Sequence, residues 1–208
     1  MAAKPKPNFR DIEKVMRELV LPFSAIDRAV PLPLPKGLRQ ENDAEHSWSL
    51  ALVACMLAPH VDPSLDVGKV CQFAIVHDLT EIHAGDTSAF DPDDLHQTKE
   101  EREHQAFQQI AKEFSHFPWL VECLGQYERQ DTGEARFVRA VDKIIPLFYD
   151  YLNQGVYYHK NKHTREEFIE FMKRPREKAK AHQGAFELHE EAMAVLLSHP
   201  ELFYQHKK

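Results

Sequence analysis

The sequence predicts an all-α fold, a helical bundle of about seven to nine helices, from three observations. Apolar residues recur at steps of three and four along most of the chain. No segment alternates apolar and polar residues convincingly, and no Asn-Gly or Asp-Gly pair marks a hairpin turn. The 208 residues are enough to bury one core without staples.

Residues 8–20 read as a first helix with Asn8 as its N-cap. From Val30 to Gly37 the prolines Pro31, Pro33 and Pro35 stand two apart, which forbids a helix and favours an extended, stiff loop. A second helix is expected from about Asp43 to Ala58, stopped by Pro59. A third runs from its N-cap Asp66 to just before Gly85. Residues 84–97 look like loop, and Thr98 with Glu101 forms a capping box that opens a helix to about Phe114. A short helix around 117–128 follows, then a long one capped by Asp131 from about Gly133 to Leu152, then helices at roughly 164–181 and 184–198. The whole reads as one domain over 1–208, with its core in about 10–155 and the C-terminal helices packed on it.

Composition excludes several classes. With 43% hydrophobic and 28% charged residues the chain is ordinary globular material rather than disordered. Its longest apolar run, Leu50–Ala58, is too short to span a bilayer, and no apolar stretch follows the basic residues of the N-terminus as in a secretory signal. A formal net charge of −7 argues against nucleic-acid or membrane-surface partners. Three cysteines (Cys55, Cys71, Cys123) without a CxxC pair suit the cytoplasm. No two glycines stand two apart and no GKS or GKT occurs, so the Rossmann fingerprint and the P-loop are absent.

Of the 13 histidines, His60, His159, His163, His182, His199 and His206 lie at expected helix ends or polar faces and read as solvated. The basic stretch Lys173–Lys180 likewise reads as a solvated helix face. Three places differ, because polar residues sit where the apolar stripe should continue. In the second helix His46 precedes Leu50, Val53 and Leu57. In the third, Val70, Ala74, His77 and Glu81 keep the same rhythm beside Asp78. In the long helix Asp142 falls among Ala135, Val138, Ile145, Tyr149 and Leu152. Buried carboxylates need a partner or a metal, and imidazoles with carboxylates suit one divalent ion such as Mn²⁺, Co²⁺, Fe²⁺, Ni²⁺ or Zn²⁺. Pro146 leaves the Asp142 carbonyl without its helical partner, and a kink there would help aim the carboxylate.

His46, then His77-Asp78, then Asp142 resembles the H…HD…D signature of the HD-domain metal-dependent phosphohydrolases. ENDAEHS (41–47), AIVHDLTEIHAGD (74–86), TKEEREHQAF (98–107) and EARFVRAVDK (134–143) resemble the YfbR-like 5′-deoxynucleotidase branch, over roughly residues 10–155. The resemblance implies one divalent metal (Co, Mn, Fe, Ni, Zn or Mg) on His46, His77, Asp78 and Asp142. It also implies Glu81 in catalysis, Asp86 near the sugar, a phosphate-binding arginine upstream, and a homodimer. Arg28 and Arg39 are the two candidates for that arginine. Family members often place an aromatic residue, usually tryptophan, close after it; here Ala29 follows Arg28, which leaves the deoxy-versus-ribo preference open.

On its own chemistry, Glu81 would serve as a general base or acid, or would orient His77, or would form a simple surface salt bridge. Asp86 would either enter the site or cap a turn at 86–89. The leading expectation is a phosphomonoesterase acting on nucleoside 5′-monophosphates. A dNTP triphosphohydrolase stays open beside it. So does a di-iron oxygenase drawing on His83, His96, His104 or His116, and a non-enzymatic binding module with a structural metal. Phe148, Tyr149, Tyr151, Tyr157 and Tyr158 would supply a dimer interface or fill the core.

Overall fold

The computed structural model describes residues 6–206, and among these the chain is helical apart from one two-stranded sheet. Asn8 caps α1 (Phe9–Val15) in a reciprocal capping box with Asp11. The helix continues through a π-helical stretch, Met16–Val20, into α2 (Leu21–Phe23).

The stiff loop expected at 30–37 is instead a β-hairpin, with β1 (Asp27–Leu34) antiparallel to β2 (Gly37–Asn42) and Leu32 opposite Arg39. The extended reading of the prolines was right and the absence of pairing was not. Residues two apart point their backbone N–H groups the same way, so the missing donors of Pro31 and Pro33 share one side of an edge strand, and Pro35 falls in the turn. The Pro31 carbonyl accepts a hydrogen bond from Asn153 Nδ2 at 2.9 Å, tying the hairpin to the helices beyond.

Asn42 and Glu45 cap α3 (Asp43–Val61), which runs on through Pro59 because a proline in the last turn forfeits a single bond. Asp66 caps α4 (Val67–Val76) as expected. The third helix does not reach Gly85, however. It breaks at His77 into tight turns, with Leu79 N–H bonded to Val76 O and Glu81 N–H to Asp78 O, before the short α5 (Glu81–Ala84).

The helix α6 (Asp93–Glu113) begins a turn and a half before the expected capping box. Pro92 and the acidic pair Asp93-Asp94 start it, and the Thr98 hydroxyl bonds back to the Asp94 and Leu95 carbonyls from mid-helix. After α7 (Pro118–Arg129), Thr132 rather than Asp131 caps α8 (Gly133–Asp142). The expected 133–152 helix is two: α8 ends at Asp142 and α9 (Ile145–Leu152) starts with Pro146 in its first turn. A helix the sequence did not announce, α10 (Val156–Asn161), sits between left-handed Gly155 and Lys162. The expected 164–181 helix is also two, α11 (Arg165–Phe171) and α12 (Lys173–Ala179), followed by α13 (Gln183–Leu197).

Two apolar clusters result. The first joins α3, α4, α7 and α8 through Leu50, Val70, Phe73, Leu124, Phe137 and Val138. The second joins α9 to α13 through Leu147, Tyr158, Phe168, Met193, Leu202 and Phe203. No helix among the described residues is long and apolar enough to cross a membrane.

Candidate metal centre and substrate cleft

Two of the helix breaks sit beside residues of the site. His46 projects from the first turn of α3. His77 and Asp78 occupy the turn where α4 ends, and Asp142 is the last residue of α8. His46, His77 and Asp142 are buried, each with one ligand atom within 4.8 Å of the others'.

The hydrogen bonds leave acceptors facing one another. Glu41 Oε2 lies 3.2 Å from His46 Nδ1 and Asp142 Oδ1 lies 2.9 Å from its Nε2, so with an ion in place Nδ1 would keep its proton for Glu41 and the Nε2 lone pair would turn to the ion. His77 Nδ1 donates to the Ala74 carbonyl at 2.9 Å, and its buried Nε2 has no hydrogen-bond partner. Asp78 Oδ2 is 2.9 Å from that Nε2. Two imidazole lone pairs and two carboxylates converging in this way fit a divalent ion.

The surrounding charges hold the acids ionised. Burial disfavours the charges of Asp78 and Asp142, but His77 and Arg28 outweigh it at the first, and Lys143, His46 and His77 at the second, so both stay well below the usual carboxylate range. Burial also works against the Arg28 guanidinium, which Asp78, Asp86, Glu81 and Asp142 more than compensate. Arg28 donates to Asp43 and Asp78, both at 2.9 Å. Asp43, Asp78 and Glu81 form a second acidic group, and Arg28 already supplies a cation to two of its members.

A cleft enclosing ≈ 820 Å³, including its mouth, opens from this centre. Arg28, Asp78, Glu81, Asp86, Lys99 and Lys143 line it, and Ala29 borders it beside Arg28. Glu81 Oε1 is 3.7 Å from Lys99 Nζ, while its Oε2 is buried without a partner. Burial, with Asp78 and Asp86 nearby, pushes the Glu81 carboxyl well above its ordinary range. Gly85, at φ 76°, turns the chain out of α5 and into Asp86. The chain is irregular at 86–88, and the next turn is closed by Asp91 N–H on the Ser88 carbonyl.

A family model described as HD domain matches residues 34–183. The chain belongs to the HD-domain family. Human 5′-deoxynucleotidase HDDC2 is 28% identical to this HD-domain chain over 108 residues, and its Bos taurus counterpart 27%, each alignment covering 50% of both proteins. The match thus spans about half the length of these curated relatives. A crystal structure described as a predicted metal-dependent phosphohydrolase from Magnetospirillum magnetotacticum MS-1 superposes with a TM-score of 0.71 at 26% identity, covering 95% of this chain and 99% of that one.

Of the residues singled out in the sequence, the HD-domain fold brings together His46, His77, Asp78, Asp142, Glu81, Asp86 and Arg28. Arg39 is not among them: it is exposed on β2, where Glu45 and the Gln40 carbonyl hold its guanidinium. His83, His104 and His116 are exposed, and neither they nor His96 join a metal group among the described residues. Sequence reasoning missed Glu41, Asp43, Lys99 and Lys143, although each lies inside one of the four motif segments. For Asp43 and Lys143 the clue was a charged residue one helical turn from, or adjacent to, a candidate ligand; Glu41 and Lys99 carried no such spacing. Lys178, read as solvated, lines a small recess beside His77 and Asp142.

Proposed function

We propose that this HD-domain chain is a metal-dependent phosphomonoesterase that hydrolyses (deoxy)nucleoside 5′-monophosphates to nucleoside and phosphate. The observation that carries the reading is the meeting of His46 Nε2 and Asp142 Oδ1, 2.9 Å apart, beside the unpartnered His77 Nε2 at the head of a cation-lined cleft. A divalent ion on His46, His77, Asp78 and Asp142 (Co, Mn, Fe, Ni, Zn or Mg) would polarise a phosphoryl oxygen and ease deprotonation of the attacking water.

The chain's own residues do the rest. Arg28 keeps its charge at every working pH and, with Lys99 and Lys143, receives the phosphate and the charge that spreads over its oxygens in the transition state. Glu81 holds or delivers a proton between water and the leaving 5′-oxygen, a task its raised pKa suits. Glu41 fixes the tautomer of His46. Asp86 meets the sugar, and Ala29 leaves room beside it. The activity for which the human relative is named supports a nucleotide substrate.

The reading takes the whole chain as one domain in the cytoplasm. It also carries a homodimer, which the exposed Trp48, Leu52 and Trp119 along an apolar groove of α3, α4 and α7 support.

The test is phosphate release from ribo and deoxy 5′-mono- and triphosphates with each metal and with EDTA. Release from deoxymonophosphates, lost in EDTA, is expected, and the ribo-to-deoxy ratio reports what Ala29 permits. No release from any monophosphate by protein with bound metal would overturn the reading.

A further inference from the structure

The cleft has a second end. Away from the cations its lining turns apolar, with Phe90 from the loop before α6, Leu147 of α9, Met172, and Pro175 of α12. One carboxyl, that of Asp150, lies among them, and it is 2% exposed. The Tyr158 hydroxyl donates to its Oδ2, and its Oδ1 has no partner.

A buried carboxyl oxygen left without a donor in a cleft costs stability unless a ligand completes it. The walls suit a flat apolar ring, and the orphan oxygen suits one N–H on its edge. The phosphate end and this end belong to the same cleft, so a mononucleotide anchored by Arg28 and the metal ligands would lay its heterocycle here.

We propose that Asp150, held by Tyr158, is a specificity-determining residue that receives an N–H donor of the substrate's nucleobase. The inference rests on the proposed phosphomonoesterase reading. It gives the C-terminal helices a part in the site, since Met172 and Pro175 form one wall of the base subsite and Tyr158 positions the carboxyl.

The experiment compares dAMP with the 5′-monophosphate of purine 2′-deoxyriboside, which lacks only the exocyclic amine. In the wild-type protein the amine is expected to raise kcat/KM by about tenfold, as one hydrogen bond to an otherwise unpaired buried acceptor does. The gain should lie in KM, because this contact is remote from the phosphoryl centre. Asp150→Ala should bring the ratio near one, and Tyr158→Phe should lower it while leaving Asp150 in place.

If Asp150 served packing alone, the variants would lose thermal stability or kcat and keep the wild-type ratio, which would overturn the inference. A ratio that responds instead to the 3′-hydroxyl, read with 2′,3′-dideoxyadenosine 5′-monophosphate, would also overturn it by moving the contact to the sugar. Absence of phosphate release from dAMP by wild-type protein would sink the phosphomonoesterase reading itself. Release with an unchanged ratio would sink only the assignment of Asp150.

Discussion

At one end of the cleft Asp78 and Asp142 sit among His46, His77, Arg28 and Lys143; at the other, Asp150 faces a tyrosine hydroxyl and apolar walls. Asp142 and Asp150 are buried and Asp78 nearly so, yet they titrate in opposite directions. Cations hold the first two far below the ordinary range, while burial lifts Asp150 to about 7 against the pull of Tyr158. Burial by itself therefore does not decide a carboxylate's state; the cations it can reach do. The first end is built to concentrate charge and the second to recognise shape with a single polar contact.

If that division holds, damage at the two ends will look different. Glu81 belongs to the first end, buried with Oε2 unpaired and disfavoured as a charge. Glu81→Gln removes the charge and keeps the volume. It should lower kcat by about 10²–10⁴-fold, the usual worth of a positioned acid or base, and leave the Tm equal or higher. Steady-state kinetics and a thermal melt on the same preparation check both. Activity retained within about threefold, far less than a lost acid or base costs, would remove Glu81 from the chemistry.

The complementary break lies in the second apolar cluster. Gly155 opens α10 at φ 66°, and a Cβ there would stand 1.9 Å from the Leu202 carbonyl oxygen. Gly155→Ala thus combines a left-handed backbone with a backbone clash, and a cost of about 3 kcal/mol or more is expected. Urea unfolding would read it. If the metal-bearing cluster persists while α10 loosens, KM should rise more than kcat falls.

The two ends also differed in how far they were legible in the sequence. His46, His77, Asp78 and Asp142 stood out because each interrupts an apolar stripe or adjoins one that does, and the fold brings all four to one place. The stripe could not show that the helices stop there. The turn at His77 and the break after Asp142 are local departures that leave the three-and-four spacing nearly intact. The hairpin was hidden because prolines announce what a strand lacks rather than what it pairs with. Asp150 was invisible for another reason. It lies one residue from Tyr149 and Tyr151 in a helix with aromatic residues on more than one face, and its partner Tyr158 belongs to a helix fixed by Gly155 and tertiary packing.

The pH dependence of stability sharpens the contrast further. Asp150 has its pKa raised from 3.8 to about 7, so the folded state binds that proton more tightly than the unfolded chain. Stability must then fall as pH rises through the window from about 4 to 7, with the full contribution present only below it. Asp78 and Asp142 have lowered values and act in the reverse sense, losing their contribution as acid protonates them. Asp150→Asn abolishes the first effect and leaves the second. Between pH 5 and pH 8 the variant should gain about 3 kcal/mol of unfolding free energy relative to wild type, because each tenfold difference in proton affinity between the two states is worth about 1.4 kcal/mol. Urea titrations of both proteins at the two pH values measure it. Parallel pH profiles would mean that Asp150 reaches water or a cation in solution, and the contrast between the two ends of the cleft would fail at its most sensitive point.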